Sequence, residues 1–140
     1  LRSTGEIDTE RSLLAEVEGA VVGHCLLTAT ALERPDGSRV VGRVVAHGPI
    51  AVLPAWQHRH VGTTLMHAAL ERCERDGAAA VVLVGSPTYY HRFGFGPARD
   101  VGLLPPGHWP DDVWMAHLLP GRTPADVGIV RYAHPFMEMA

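Results

Sequence analysis

Two β-branched-rich apolar runs, SLLAEV at 12–17 and AVVGHCLLT at 20–28, are separated by Glu18-Gly19, which predicts two strands joined by a tight hairpin. A second turn is predicted at Pro35-Asp36-Gly37, where proline presets φ and glycine accepts a positive one. Residues 40–53 read as a long strand interrupted at Gly42 and at Gly48-Pro49; proline donates nothing to a ladder, so Pro49 marks an edge or a bulge. From Arg59 to Asp76 the period changes. Gly62, Leu65, Met66, Ala69, Leu70 and Cys73 recur every three or four positions, the pattern of a helix with one apolar face, while Glu71, Arg72, Glu74, Arg75 and Asp76 lie mostly opposite. Gly77 ends that helix.

Residues 79–84, AAVVLV, show no alternation, as expected of a strand covered on both faces. A strand, a helix and a second strand in this order imply a crossover and parallel pairing, so the sheet is predicted to be mixed: antiparallel early, parallel around residues 50–84. Ser86-Pro87 open a short helix, Ser86 as N-cap and Pro87 as first residue, carrying Tyr89, Tyr90 and Phe93 and closed by Gly94-Phe95-Gly96-Pro97. Short strands are expected at 101–104, 113–119 and 128–132. No repeat or low-complexity segment is evident.

Composition narrows the class. The 140 residues suit one domain, 46% are apolar and 19% charged, and no apolar run reaches the roughly 20 residues of a membrane span. A formal charge of −3 argues against a nucleic-acid surface. Cys25 and Cys73 lack metal-ligand spacing and read as thiols of a cytoplasmic protein. All twelve basic residues are Arg, a bias best ascribed to genome composition. The chain opens on Leu1, not Met, so a preceding segment is expected to be absent from this numbering.

The junction Gln57-His58-Arg59-His60-Val61-Gly62 stands where a strand gives way to a helix. The first helical turn leaves N–H groups unpaired at the positive end of the macrodipole, which is a place for a phosphate, and Arg59 adds formal charge. Gly62 is expected to let an anion approach the backbone and to let the helix pack closely on the sheet. A plain crossover with a packing glycine explains the spacing equally well. His58 and His60 have no further ligands at fitting spacing, so no metal site is expected.

The phrases Ala51-Val52-Leu53-Pro54, Gln57-x-x-His60-x-Gly62 and Tyr89-Tyr90-His91-Arg92-Phe93-Gly94-Phe95 together resemble the GNAT superfamily of N-acetyltransferases. Gly85-Ser86-Pro87-x-Tyr89-Tyr90 and the ending RYAHPF are similar to a compact bacterial subgroup. The likeness runs over about residues 10–136 and implies an α/β (α+β) fold: a mixed, mostly antiparallel central sheet with strands splayed around the cofactor and flanking helices. It implies one acetyl-CoA-binding domain over 1–140, lacking the family's N-terminal strand and most of its first helical region.

The resemblance also assigns residues. Ile50, Ala51 and Val52 would border the pantetheine arm, and Gln57, His58, Arg59, His60, Val61, Gly62 and Thr63 would hold the pyrophosphate of acetyl-CoA. The family's first motif glycine is replaced by His60, which is expected to keep helical φ and ψ with its N–H toward the anion and its ring either intruding or turned outward.

Acetyl transfer needs a neutral amine, a polarised carbonyl and a proton for the leaving thiolate. An amine of pKa about 10.4 needs roughly 4–5 kcal/mol to be neutral at pH 7, so a base or desolvation is required. The Val52 N–H is the candidate to polarise the carbonyl, and Tyr90, by the family match, is the general acid. His47 is the candidate base, ahead of His24, Glu16 and Glu33. Tyr89, Phe93 and Phe95 are expected to pack, and Trp109 and Trp114 either wall an acceptor pocket or cover the sheet. Direct transfer to an amine acceptor in a ternary complex is the first expectation; a non-catalytic acyl-CoA-binding module on the same fold is the second. No membrane partner is expected, and a homodimer through the C-terminal strands is one option that the sequence leaves open.

Overall fold

The computed structural model describes residues 2–4, 10–48 and 50–132. Pro49 and the RYAHPF ending beyond Tyr132 fall outside the described residues. In chain order the elements are β1 (Arg2–Thr4), β2 (Glu10–Val17), β3 (Ala20–Glu33), β4 (Arg39–His47), β5 (Ala51–Val52), α1 (Val61–Arg75), β6 (Ala80–Val84), α2 (Pro87–Tyr90), β7 (Gly96–Pro97), β8 (Leu103–Leu104), β9 (Trp114–Leu118) and β10 (Gly128–Arg131). Short 3-10 turns occupy Pro54–Trp56, His91–Phe93 and Ala98–Val101.

β3 is the spine. Its first half pairs with β2 on one edge and β5 on the other, and its second half with β10 and β4. The β2–β3 hairpin turns through Glu18 (φ 52°) and Gly19 (φ 81°), the two positive angles that let a two-residue turn follow strand twist. β4 then runs parallel to β6, Val44 opposite Ala80 through Ala46 opposite Val82, and β6 pairs antiparallel with β9, which carries β7. The mixed sheet expected from the pattern is therefore present, with its parallel pair on either side of α1.

Two irregularities interrupt the long strand expected at 40–53. At Gly42 (φ 92°) the β3–β4 register slips: Thr30 alone faces the three residues between Val41 and Val45. Beyond His47, three residues separate it from Ala51 while only two separate their β3 partners, Leu27 and His24. The pairing with β3 therefore shifts by one residue between β4 and β5, just where the sheet opens.

Burial follows alternation. On β6, Val81 and Leu83 join a core formed with Leu65, Met66, Ala69 and Cys73 of α1, while Ala80 and Val82 join a second core on the other face with Val44, Trp114 and Val130. β6 is thus covered on both sides, as its unbroken apolar run predicts. Phe93 and Phe95 are core residues of the α1 side. Gly23 of β3 makes the close approach of helix to sheet: a Cβ there would lie 2.8 Å from Val61 Cγ1 and 3.1 Å from Leu65 Cδ1. This is the packing role expected of Gly62, whose own added Cβ would meet nothing nearer than 3.8 Å, at Ile50 and Tyr89.

Among the described residues, no helix is long and apolar enough to cross a membrane.

Candidate active site

Past the last β4–β6 pair, Ala46 with Val82, the two strands part. His47 and Gly48 at the end of one, and Leu83 and Val84 at the end of the other, line a cavity of about 960 Å³. Its lining includes Ile50, Val52, Gln57, His58, His60, Val61, Gly62 and Thr63, together with Tyr90 and His47. Ala51 and Arg59 are not brought to this wall. Ala51 is exposed and opposes His24, and the Arg59 guanidinium carbon stands 5.2 Å from the centre of the Trp56 ring, itself a wall residue. The cation proposed at the junction is thus displaced to the rim, held by a cation–π contact.

The junction departs from its expected conformation. α1 begins at Val61, not at Arg59, because His58 (φ 64°) and His60 (φ 63°, ψ 16°) are both left-handed. His60 therefore does not keep helical angles. A glycine at this point of the motif has a physical cause, freedom to take positive φ, and histidine occupies the same conformation at a cost of about 1 kcal/mol.

Among the described residues no side chain caps α1: the N-cap His60 makes no such bond, and the first helix bond is Thr64 N–H to the His60 carbonyl at 2.9 Å. The N–H groups of Val61, Gly62 and Thr63 precede it, and all three residues line the cavity. A left-handed residue followed by a right-handed one turns successive N–H groups inward, the geometry of an anion-binding concavity. The helix dipole adds to it. Openness at Gly62 faces this space, so its lack of a side chain serves the cavity.

Opposite the helix end, Leu53 N–H donates to the Val22 carbonyl at 2.9 Å. Alternation in an antiparallel ladder then turns the Val52 N–H away from β3 and toward the opening. Gln57 fixes the same residue from the other side, its Nε2 donating to the Val52 carbonyl at 3.2 Å.

Tyr90 comes from α2, where Pro87 occupies the first turn; Ser86 precedes it but its hydroxyl makes no capping bond, contrary to the expectation from its type. Gly85 seats the Tyr90 ring: a Cβ at that position would overlap Cε2 and lie 2.8 Å from Cδ2. Burial and the neighbouring Tyr89 raise the Tyr90 hydroxyl above its ordinary pKa, so it stays protonated at neutral pH. Tyr89 is more than packing. It stands edge-on to Tyr90 at 4.9 Å and also lines the cavity.

His47 is 6% exposed, and neither ring nitrogen has a hydrogen-bond partner among the described residues. Burial lowers its pKa, which keeps the imidazole neutral. The two tryptophans separate: Trp114 is fully buried and donates Nε1–H to the Leu103 carbonyl at 2.9 Å, whereas Trp109 reaches the cavity with Tyr132. Tyr132, like Trp56, carries no motif signal; only tertiary structure brings it here.

Comparison with known proteins shows the family. A family profile described as an acetyltransferase (GNAT) domain matches residues 2–98, more than half of the chain. An Escherichia coli K12 protein named as an uncharacterized N-acetyltransferase, YjhQ, is 34% identical over 128 residues, covering 89% of this chain and 69% of that protein. Two crystal structures are similar. The GNAT family N-acetyltransferase YhbS of Escherichia coli, in complex with CoA, shares 26% identity at a TM-score of 0.74, over 91% of this chain and 69% of that one. A GNAT family acetyltransferase of Brucella melitensis, in complex with acetyl-CoA, shares 28% at 0.66, over 90% and 68%. With the profile, the relative and the splayed sheet in agreement, the chain belongs to the GNAT superfamily of N-acetyltransferases.

Proposed function

We propose that the protein transfers the acetyl group of acetyl-CoA directly to a primary amine. One observation carries the reading: a single cavity joins the uncapped end of α1, the outward Val52 N–H and the protonated Tyr90 hydroxyl at the parting of β4 and β6. The CoA and acetyl-CoA complexes of the two similar crystal structures support the donor.

In this reading the Val61, Gly62 and Thr63 amides receive the pyrophosphate, and Val52 N–H stabilises the carbonyl oxygen as it gains charge. The amine nitrogen attacks the thioester carbon, the C–S bond breaks, and Tyr90 supplies the proton that the thiolate takes up. His47 lines the cavity with both ring nitrogens buried and unpartnered among the described residues, so it accepts the amine proton once its ring turns toward the seated amine.

The donor assignment is tested by calorimetric titration of acetyl-CoA into the wild-type chain and His60→Gly. Because glycine adopts the same left-handed conformation, the amides do not move, and both proteins should bind at micromolar concentration within about threefold of each other. His60→Gly should also gain stability by about 1 kcal/mol in urea unfolding. Binding confined to the glycine variant would mean the imidazole blocks the site; binding by neither would remove acetyl-CoA as donor.

Gly85 gives a second test. Gly85→Ala pushes the Tyr90 ring out of its seat without altering the α1 end. It should lower kcat by about tenfold or more while leaving the acetyl-CoA Kd nearly unchanged, as steady-state kinetics and calorimetry together would read. Unaltered kcat would show that the position of this ring does not matter.

A further inference from the structure

The cavity wall has an unusual charge composition: none of its residues among those described is Asp, Glu, Lys or Arg. Five aromatic rings line it instead, those of Trp56, Tyr89, Tyr90, Trp109 and Tyr132. The rings divide by side of the sheet. Trp56, Tyr89 and Tyr90 pack on the α1 core, with the amides assigned to the donor, whereas Trp109 and Tyr132 pack on the core of the opposite face, their ring centres 6.3 Å apart.

From this we infer the class of acceptor: a primary monoamine on an apolar body of aromatic size, with no carboxylate and no second ammonium, seated against Trp109 and Tyr132. The inference rests on the acetyl-transfer reading above. Burying a charge without a partner is expensive. A polyamine or an aminoglycoside would bring ammonium groups to a wall with no carboxylate among the described residues, and an amino acid would bring a carboxylate to the Trp109–Tyr132 side, away from the guanidinium groups of Arg59 and Arg92, which lie on Trp56 and Tyr89 at the donor side. Of the carboxylates close in sequence, Glu33 pairs with Arg131, the neighbour of Tyr132, and with Arg39, and Asp111, near Trp109, pairs with Arg99; Asp112 is exposed and does not line the cavity. The histidine and tyrosine at this end do not fill the gap. Burial keeps His47 neutral and pushes the Tyr132 hydroxyl up to about 12. A single ammonium is still welcome, since an aromatic face attracts one cation before it is deprotonated for attack. Transfer then balances as amine plus thioester giving amide plus thiol, with no oxidant or reductant.

The test uses the full chain and three probes: 2-phenylethylamine, phenylalanine (the same body with a carboxylate) and spermidine. Tryptophan emission is titrated with each in the absence of acetyl-CoA, and CoA release is then measured with each. 2-Phenylethylamine should saturate at a concentration at least tenfold below the other two and give at least tenfold higher kcat/KM. Trp109→Leu should weaken it at least tenfold while the acetyl-CoA Kd is kept; if that variant fails to fold, the ranking on the wild type decides. Spermidine or phenylalanine binding as well as 2-phenylethylamine, or no saturation by the latter, overturns the inference. Saturable binding without CoA release leaves the acceptor site standing and instead sinks acetyl transfer.

Discussion

Replacing Tyr90 with phenylalanine should lower kcat by about a hundredfold, the lower end of what a positioned general acid contributes, and should leave acetyl-CoA affinity within a factor of about three. The asymmetry follows from the geometry. The donor's phosphates would be held by backbone N–H groups of α1, which the substitution does not touch, whereas the hydroxyl would act only as the C–S bond breaks. Phenylalanine retains the ring, so the edge contacts with Tyr89 at 4.9 Å and Phe95 at 6.0 Å persist and the fold is not at stake. The raised pKa of Tyr90 has a sign that matters here: burial disfavours the phenolate, so the proton is present throughout the neutral range. A loss in kcat and kcat/KM together marks an interaction made in the transition state, and a change in KM alone would assign Tyr90 to binding. Undiminished turnover in CoA-release assays would end its role as acid.

Legibility from sequence divides by range. Features decided within a few residues are readable: the Glu18-Gly19 hairpin, the Pro35-Asp36-Gly37 turn, the apolar face of α1, and β6 as a strand buried on both faces. The start of α1 is readable to within two residues, through the strand-to-helix change of period. Other features need the partner surface. Nothing local tells that Gly23 faces Val61, or that Gly85 makes room for Tyr90, whereas Gly62 stands in a motif and attracts the packing explanation that belongs to Gly23. The left-handed angles at His58 and His60 were also hidden, because histidine carries no compulsory signal for positive φ and the surrounding structure imposes it. Trp109 and Tyr132 illustrate the longest range. They join the site only because the chain after β6 returns, through β9 and β10, to the far face of the sheet.

The largest stability effect is expected far from the cavity, at Arg43. Its Nε and Nη2 donate to the two oxygens of Asp126 at 3.0 and 2.8 Å, a fork-to-fork pair between residues 83 positions apart. The same guanidinium donates to the carbonyls of Gly77 at 2.9 Å and Gly121 at 2.6 Å, tying β4 to the end of α1 and to the segment before β10. Asp126 is 2% exposed and also accepts the N–H and hydroxyl of Thr123. Arg43→Ala therefore removes the forked partner of a buried carboxylate, leaving it only Thr123 and the more distant Arg34 at 3.7 Å, and should cost about 3 kcal/mol in urea unfolding at pH 7. The Arg43 guanidinium, foremost, holds the Asp126 pKa down at about 2 from an ordinary 3.8. A folded-state pKa below the unfolded one gives stability that is complete above the unfolded value and lost as pH falls through the folded one. The linked share, about 2 kcal/mol, should thus disappear between about pH 4 and pH 2, and Arg43→Ala should lose less over that interval than the wild type does. Equal acid sensitivity of the two proteins would place the wild type's acid-labile carboxylate elsewhere. A cost below about 1 kcal/mol at pH 7 would mean that water replaces the guanidinium, and that the pair behaves as a surface contact despite its burial.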